Sequence, residues 1–130
     1  MACLETTFLI DLLRGEPKIK ELKDELDKTE ISLSVAAPSV MEIWTGAAMS
    51  RFSSKEKERI KELMSSLSVL PLNEKSAMEA GEIEAGLLKT GTIIETEDIM
   101  IAAIARSNGE KVVTRDQHYA KIPGLTIIKY

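Results

Sequence analysis

The segment Asp98-Ile-Met-Ile-Ala-Ala-Ile-Ala-Arg-Ser-Asn-Gly-Glu-Lys-Val-Val-Thr-Arg-Asp116 combines two kinds of apolar pattern. Residues 99–105 are apolar on every face, and a helix of that kind is buried rather than half-exposed. Residues 111–114 form a short run with two valines, which is typical of a strand. The segment therefore predicts a buried central helix that packs on a sheet and leads into one of its strands.

Strands and helices continue to alternate on both sides of this segment. Short apolar or β-branched runs predict further strands at residues 31–35, 68–72 and 125–128, and Glu5 ends another near the start of the chain. Apolar residues at helical spacing predict helices that begin after Pro17, at Pro38 and Ser39, at a capping box of Ser53 and Glu56, after Asn73 and after Thr96. This alternation predicts an α/β fold in which a mostly parallel sheet is covered by helices on both faces.

Length and composition are those of one ordinary domain. The chain has 130 residues, of which 44% are hydrophobic and 29% charged, so we expect a single domain over residues 1–130. The longest apolar run is residues 99–105, whereas a membrane-spanning helix needs about 20 apolar residues. The first residues show no basic segment followed by a long apolar stretch, so we expect no signal peptide and a cytoplasmic protein.

The counts of cysteine, histidine and charged residues exclude several kinds of site. With one cysteine and one histidine, the chain can form neither an internal disulfide nor a Cys/His zinc cluster. Its 17 basic and 21 acidic residues give a net charge of -4, which is not the pattern of a general nucleic-acid binder. A local basic rim, or a metal held by carboxylates, would still attract a phosphate backbone.

Motifs for nucleotide binding and for nucleophilic catalysis are missing. There is no G-x-G-x-x-G, and the G-x-x-x-x-G from Gly81 to Gly86 is followed by two leucines inside a predicted helix, not by Lys and Ser or Thr. There is no G-x-S-x-G, and His118 would be the only histidine available as a base. We therefore assign His118 no role and look to carboxylates for the chemistry.

Four acidic side chains fall where the predicted strands end and the following helices begin: Glu5, Glu42, Asp98 and Asp116. The carboxyl ends of parallel strands share one edge of a sheet, so we expect these four to converge. Singly, each has an ordinary explanation: Glu42 completes a capping box with Ser39, Asp98 suits a helix N-terminus, Asp116 lies in a turn and Glu5 is solvated. Together, four like charges would repel one another without a cation. Carboxylate oxygens suit Mg²⁺ or Mn²⁺, so the set predicts metal-assisted hydrolysis of a phosphodiester.

At this point the motifs resemble those of a known family, the PIN-domain ribonucleases, and among them the small VapC-like toxins of prokaryotic toxin-antitoxin pairs. The resemblance rests on four segments in order: Leu4-Glu-Thr-Thr-Phe-Leu-Ile-Asp-Leu-Leu-Arg-Gly15; Ala37-Pro-Ser-Val-Met-Glu42; residues 91–103, with Gly91, Ile94 and Asp98; and Val112-Val-Thr-Arg-Asp116-Gln-His-Tyr, followed by Ile122-Pro-Gly-Leu125. It covers essentially the whole chain.

The resemblance implies a three-layer α/β/α domain, an endoribonuclease activity that depends on Mg²⁺ or Mn²⁺, and commonly a homodimer silenced by a cognate antitoxin. By position, Glu42, Asp98 and Asp116 match the family's metal-binding acids, and Glu5 stands where the family normally has aspartate. Residues at polar positions that orient a metal-bound water or phosphate are Thr114 and Thr7, with Asp11 as the next candidate. The basic residues best placed for RNA are Arg14 and Arg115, with Arg106 and Lys121 more distant.

Two other readings remain open at the level of sequence. Because Glu5 is one methylene longer than aspartate, the chain is alternatively a catalytically weakened PIN domain that acts as an antitoxin- or RNA-binding module. A third hypothesis is another open α/β phosphoryl-transfer protein, such as a receiver-like domain or a small phosphatase. The aromatic pair Trp44 and Phe52, on the predicted helical hairpin, is a candidate dimer or antitoxin surface.

Overall fold

The structure, a computed structural model, describes residues 1–29 and 32–130. Its centre is a sheet of five strands: β1 (Ala2–Leu4), β2 (Leu33–Ala36), β3 (Ser68–Leu70), β4 (Lys111–Thr114) and β5 (Ile127–Lys129). The strands lie in the order β3-β2-β1-β4-β5, and each of the four neighbouring pairs in this sheet is parallel. The expected parallel sheet is therefore confirmed.

Six α-helices surround this sheet in the described part of the chain. They are α1 (Thr6–Leu13), α2 (Pro17–Lys28), α3 (Ala37–Ala48), α4 (Ser53–Met64), α5 (Glu74–Lys89) and α6 (Thr96–Ser107), and a short 3₁₀ segment spans Gln117–Lys121. Across residues 1–29 and 32–130, none of these helices is long and apolar enough to cross a membrane.

The sheet separates two apolar clusters, which makes the three-layer α/β/α arrangement. Cys3 and Val112 face the side covered by α5 and α6. Their strand neighbours Leu4 and Val113 face the opposite side, covered by α1, α2, α3 and α4. This alternation is the ordinary pleat of a strand, in which successive side chains point to opposite faces. The predicted fold class is confirmed.

Helix α6 is buried as its composition predicts. The five residues from Ile101 to Ala105 are fully buried, and Ile99 is 3% exposed. Such a helix presents no polar face, so its position is fixed by contact with the sheet and with α5. Because Asp98 lies in its first turn, the burial of α6 also fixes the position of that carboxylate.

Strand boundaries differ from the predictions by at most two residues. Strand β3 ends at Leu70, before Pro71, because proline has no N–H to donate to the sheet. Strand β5 begins at Ile127, after the turn at Pro123 and Gly124, where Gly124 has φ 73°. Of the strand predicted at 31–35, Ile31 lies outside the described residues, and β2 runs one residue further, to Ala36.

Two predicted capping boxes are wrong, whereas a third helix start is confirmed. Helix α4 begins at Ser53 with Phe52 as its N-cap, so Ser53 caps nothing. Helix α3 begins at Ala37, which places Ser39 and Glu42 inside the helix rather than at its start. Asn73 does cap α5, where its side chain accepts from the backbone N–H of Ser76. Thr96 is the first residue of α6 and not its cap, which is Glu95.

Candidate active site

The four carboxylates predicted from the strand ends do come together at the carboxyl edge of the sheet. Glu5 follows β1 directly and caps α1, and Asp116 follows the neighbouring strand β4. The charges of Asp98 and Asp116 both raise the pKa of Glu5, and the charge of Glu42 raises the pKa of Asp98. Glu5, Asp98 and Asp116 therefore lie within range of one another's charge, and Glu42 lies within range of Asp98.

Glu5 is the most enclosed of the four and is held by hydrogen bonds. The residue is 1% exposed. Its Oε1 accepts from the Thr114 hydroxyl at 2.9 Å, and its Oε2 accepts from the backbone N–H of Thr7. Burial raises the pKa of Glu5 most, although both of these hydrogen bonds oppose the shift. The glutamate is therefore a fixed, buried acid and not a solvated strand end.

Thr114 connects two of the acidic residues. Besides donating to Glu5, its hydroxyl accepts from the backbone N–H of Asp116 at 2.9 Å. The Thr7 hydroxyl lies 3.5 Å from the same oxygen. Both threonines that the family resemblance pointed to thus lie beside Glu5. Thr114 orients the Glu5 carboxylate and holds the backbone of Asp116.

Asp98 has an aromatic partner that the sequence did not reveal. The hydroxyl of Tyr119, which is fully buried, donates to Asp98 Oδ1 at 3.1 Å. Burial raises the pKa of Asp98 most, and the charges of Asp116 and Glu42 add to it. In the sequence, Tyr119 is indistinguishable from an ordinary core aromatic, so its role becomes visible only in three dimensions.

Asp116 is both a turn residue and a member of the site. Its Oδ1 caps the 3₁₀ segment by accepting from the backbone N–H of His118 at 2.9 Å. The same oxygen lies 2.7 Å from His118 Nδ1. His118, which sequence reasoning left without a role, therefore stands beside one of the four acids, and the Asp-x-His spacing was the available signal.

Glu42 lies in the second turn of α3, not in the first turn as predicted, and it faces another acid. Its Oε1 accepts from the Thr6 hydroxyl at 3.1 Å, and Ser39 Oγ lies 2.9 Å from that hydroxyl. Burial raises the pKa of Glu42 most, followed by the charge of Glu97. Glu97, which the sequence analysis did not select, lies next to Asp98 in the first turn of α6.

Asp11 belongs to a separate network at the rim of the site. It is 8% exposed, so it is not a solvated helix residue. Arg115 donates to both of its carboxylate oxygens, from Nε at 2.8 Å and from Nη2 at 3.3 Å, and the Tyr130 hydroxyl donates to Oδ2 at 3.1 Å. The Arg115 guanidinium lowers the pKa of Asp11.

The candidate RNA-binding residues occupy different surroundings. Arg115 lines a cavity of about 430 Å³ together with Thr7, Asp116, Gln117, His118 and Lys121. Arg14 lines another, of about 490 Å³, together with Glu42 between α1, α3 and α4. Arg106 lies elsewhere: it donates to Glu79 Oε1 at 2.7 Å and to the carbonyl of Pro123 at 2.6 Å. Arg106 therefore has a structural role.

The site offers oxygen donors but not a preformed set of metal ligands. Within residues 1–29 and 32–130, no three His, Cys, Asp or Glu side chains already form a group that could hold a metal ion. The donors nevertheless suit a hard cation, because they are buried or half-buried carboxylates, and the charges of neighbouring acids add to the effect of burial in raising the pKa of Glu5, Glu42 and Asp98. In addition, the Oε1 atom of Glu97 is buried and has no hydrogen-bond partner among the described residues. A divalent cation fits this donor set.

The fold and the site together define an α/β protein with an acidic centre at the carboxyl edge of a parallel sheet, the usual place for chemistry in such folds. The chain belongs to the PIN domain family, whose model matches residues 2–125. This membership confirms the resemblance drawn from the four sequence motifs.

Individual relatives agree with this assignment. The chain is 30% identical over 113 residues to ribonuclease VapC2 of Haemophilus influenzae, covering 87% of this chain and 84% of the relative. It is 27% identical over 125 residues to the tRNA(fMet)-specific endonuclease VapC of Salmonella typhimurium, covering 95% and 93%. The DNA-bound VapBC structure from Salmonella typhimurium superimposes with a TM-score of 0.91 at 26% identity, covering 99% of this chain and 98% of that one.

Proposed function

We propose that this chain is a metal-dependent endoribonuclease and the toxin component of a type II toxin-antitoxin pair. Membership of the PIN domain family and the similarity to VapC ribonucleases support the nuclease activity. The observation that carries the proposal is the position of Glu5, Glu42, Asp98 and Asp116 at one edge of the sheet. Besides burial, the charges of Asp98 and Asp116 raise the pKa of Glu5, and those of Asp116 and Glu42 raise the pKa of Asp98.

The metal is the part of the proposal that rests on donor chemistry. PIN-domain ribonucleases generally use divalent metals, and the four carboxylates would hold Mg²⁺ or Mn²⁺ here. When bound, such an ion lowers the pKa of a coordinated water and neutralises charge on the phosphoryl group. The contribution of the protein is to hold these carboxylates in position.

The supporting residues each hold one carboxylate in place. Thr114 and the Thr7 backbone fix the two oxygens of Glu5, and Tyr119 fixes one oxygen of Asp98. Thr6 does the same for Glu42. Because a ligand set must be held to within about 0.5 Å to work, these hydroxyl groups are positioning residues for the proposed site.

Arg115 is the side chain best prepared to receive the RNA backbone. Asp11 holds it through Nε and Nη2, and a guanidinium has five N–H donors in a fixed plane. The remaining donors can bind a phosphate oxygen beside Asp116 without a further loss of side-chain freedom. Arg14, which follows α1 directly, lines the cavity that also contains Glu42 and is proposed to bind the RNA backbone there.

The cavity between α1, α3 and α4 is the proposed seat of the cognate antitoxin. Its lining is mainly apolar, with Ile10, Leu13, Ile43 and Ile60, and it carries charged groups at Arg14, Glu42, Glu56 and Arg59. An amphipathic peptide segment suits such a groove. Because Glu42 lines it, an occupant would also cover part of the site.

The assembly of the protein and its cellular location are also proposals. Phe52 is 68% exposed at the start of α4 and is available to a partner, whereas Trp44 lies beneath Lys57 Nζ, 5.5 Å from its ring centre, and Lys61. We propose a homodimer and a cytoplasmic location on the basis of the family resemblance. The receiver-like or phosphatase hypothesis has no support, because the chain belongs to a different family.

One observation favours the alternative of a weakened, binding-only PIN domain. Both oxygens of Glu5 already accept hydrogen bonds, and no ready metal cage exists among the described residues. On this alternative, the chain would bind an antitoxin or RNA without cutting it. Restoring the shorter acid with Glu5→Asp would then recover cleavage.

The substitution Asp98→Asn tests the proposed activity. It keeps the shape of the side chain but removes its charge at the centre of the acidic group, so we expect RNA cleavage to fall by at least a hundredfold. Glu84→Gln, on the partly exposed surface of α5, is the matched control and should leave cleavage unchanged. Circular dichroism should show folded protein in both cases. Undiminished, metal-dependent cleavage by Asp98→Asn would refute the assignment of the site.

A further inference from the structure

Glu97 is an acidic side chain for which the fold supplies no partner. Its Oε1 is buried, and among residues 1–29 and 32–130 it is the one buried side-chain nitrogen or oxygen that makes no hydrogen bond. Buried polar atoms in folded proteins almost always have a partner, and a carboxylate oxygen is among the most costly to leave without one. The position of Glu97 therefore calls for a group that the chain itself does not provide.

The neighbours of Glu97 show what kind of group is missing. Its carboxyl lies within hydrogen-bonding reach of the Glu42 carboxyl, and neither group brings a proton when both are ionised. Glu42 already accepts from the Thr6 hydroxyl, and Asp98 is the next residue along α6. Glu97 thus lies beside a carboxylate of the same charge, where a cation would be stabilised.

We propose that Glu97 is a further ligand of the divalent cation, acting beside Glu42. This inference rests on the proposed function, because it assigns Glu97 to the same metal site. Mg²⁺ and Mn²⁺ accept about six oxygen ligands, which carboxylates and waters share, so Glu97 takes a place beside Glu42 that water would otherwise fill.

A proton or a water molecule, instead of a metal ion, would also satisfy the Glu97 oxygen, and each predicts a result that differs from that of the proposal. A proton shared between Glu42 and Glu97 would remove the repulsion without any metal. A bound water would satisfy the Glu97 oxygen and leave the pair charged. In both cases Glu97 would make no direct contribution to metal affinity, so metal binding separates them from the proposal.

The test is a titration of Mn²⁺ into chelator-treated, partner-free protein, followed through the electron paramagnetic resonance signal of free Mn²⁺. Glu97→Gln retains the size of the side chain and loses one anionic ligand, so we expect its affinity for Mn²⁺ to fall about tenfold or more. Glu95→Gln is the matched control, since Glu95 is exposed at the start of the same helix and makes no side-chain cap. It should bind Mn²⁺ as the unmodified chain does.

Thermal unfolding provides a second readout that does not depend on catalysis. In chelator, Glu97→Gln should unfold at the same or a higher temperature than the unmodified chain, because the repulsion with Glu42 is gone. Added Mn²⁺ should then raise its unfolding temperature less than that of the unmodified chain. A lower unfolding temperature in chelator would mean that Glu97 has a structural role, which would contradict the proposal.

The outcomes separate this inference from the function on which it rests. If the unmodified chain binds Mn²⁺ and Glu97→Gln binds it equally well, the inference about Glu97 is wrong while the metal site stands. If the unmodified chain binds neither Mn²⁺ nor Mg²⁺, the metal site and the inference fall together.

Discussion

At the scale of single residues, the site depends on hydroxyl groups that hold its acids. Thr114 donates to Glu5 and accepts from the Asp116 backbone, so one oxygen joins the ends of two neighbouring strands. This arrangement matters because the glutamate side chain is one methylene longer than that of aspartate, and a longer side chain keeps its position only if its oxygens are fixed. The hydroxyl of Thr114 is therefore as important to the geometry as the carboxylates.

The substitution Thr114→Val retains the shape of the side chain and removes both hydrogen bonds. We expect it to lower the free energy of unfolding by about 1–3 kcal/mol, because it leaves a buried carboxylate oxygen and a backbone N–H without partners. RNA cleavage should fall as well. Thr126→Val, at an exposed position, should change stability by less than about 0.5 kcal/mol. Equal stability of the two variants in urea unfolding would contradict this role of Thr114.

The pair of Asp11 and Arg115 predicts a pH dependence. The guanidinium lowers the pKa of Asp11 in the folded state, whereas the unfolded value is about 3.9. The ionised pair therefore adds stability above that unfolded value, and this stability is lost as the pH falls through the lower folded pKa. The unmodified chain should be more stable than Asp11→Asn at pH 7, and the difference should shrink below pH 4 in urea unfolding. A difference that does not vary with pH would argue against the pair.

Sequence reasoning located the acids of the site but not their partners. Glu5 and Asp116 could be selected because strand ends are visible as the end of an apolar run. Tyr119 and Tyr130 could not, because their partners Asp98 and Asp11 are 21 and 119 residues away in the chain. An aromatic residue of this kind has the same sequence signature whether it fills the core or supports a site.

At the scale of helices and strands, α6 organises the molecule. It buries Ile101 to Ala105 completely and carries Asp98 and Glu97 in its first turn. Its composition predicted this position, since a helix without a polar face has nowhere else to lie. The helix starts were less predictable: Ser53 and Glu56 have the spacing of a capping box, yet α4 begins one residue too early for Ser53 to cap it.

Loss of a buried side chain from α6 should be costly. Ile101→Ala removes packing at a fully buried position, so we expect a loss of about 2–5 kcal/mol in the free energy of unfolding. Ile93→Ala is the matched control, because Ile93 is 88% exposed and its truncation should cost less than about 0.5 kcal/mol. Similar losses for both, measured in urea, would mean that α6 is not the packed centre described here.

At the scale of the whole molecule, substrate and antitoxin are proposed to meet on the same edge of the sheet. The cavity of Arg115 and His118 lies on one side of the acids, and the cavity between α1, α3 and α4 reaches Glu42 on the other. An antitoxin segment in the second cavity would restrict access to the site. Inhibition would then follow from occupancy, without a change of fold.

A bulky residue in that second cavity should prevent antitoxin binding. Gly46 lies in its lining, on α3, and a Cβ at this position would meet no atom within 4 Å. We expect Gly46→Trp to remain folded and to lose co-purification with a co-expressed cognate antitoxin. Gly81→Trp, on α5 with equally open space, should still co-purify. Retention of the antitoxin by Gly46→Trp would place the partner on another surface.

The most direct test of the central claim is cleavage of a panel of fluorescent RNAs by purified, antitoxin-free protein, with Mg²⁺ or Mn²⁺ and with a chelator. We expect cleavage that the chelator abolishes and that added metal restores, which would show that glutamate at position 5 supports a working site. Cleavage by Glu5→Asp but not by the unmodified chain would instead identify a PIN domain disarmed at one residue. Cleavage that persists in the chelator would contradict the metal-based account.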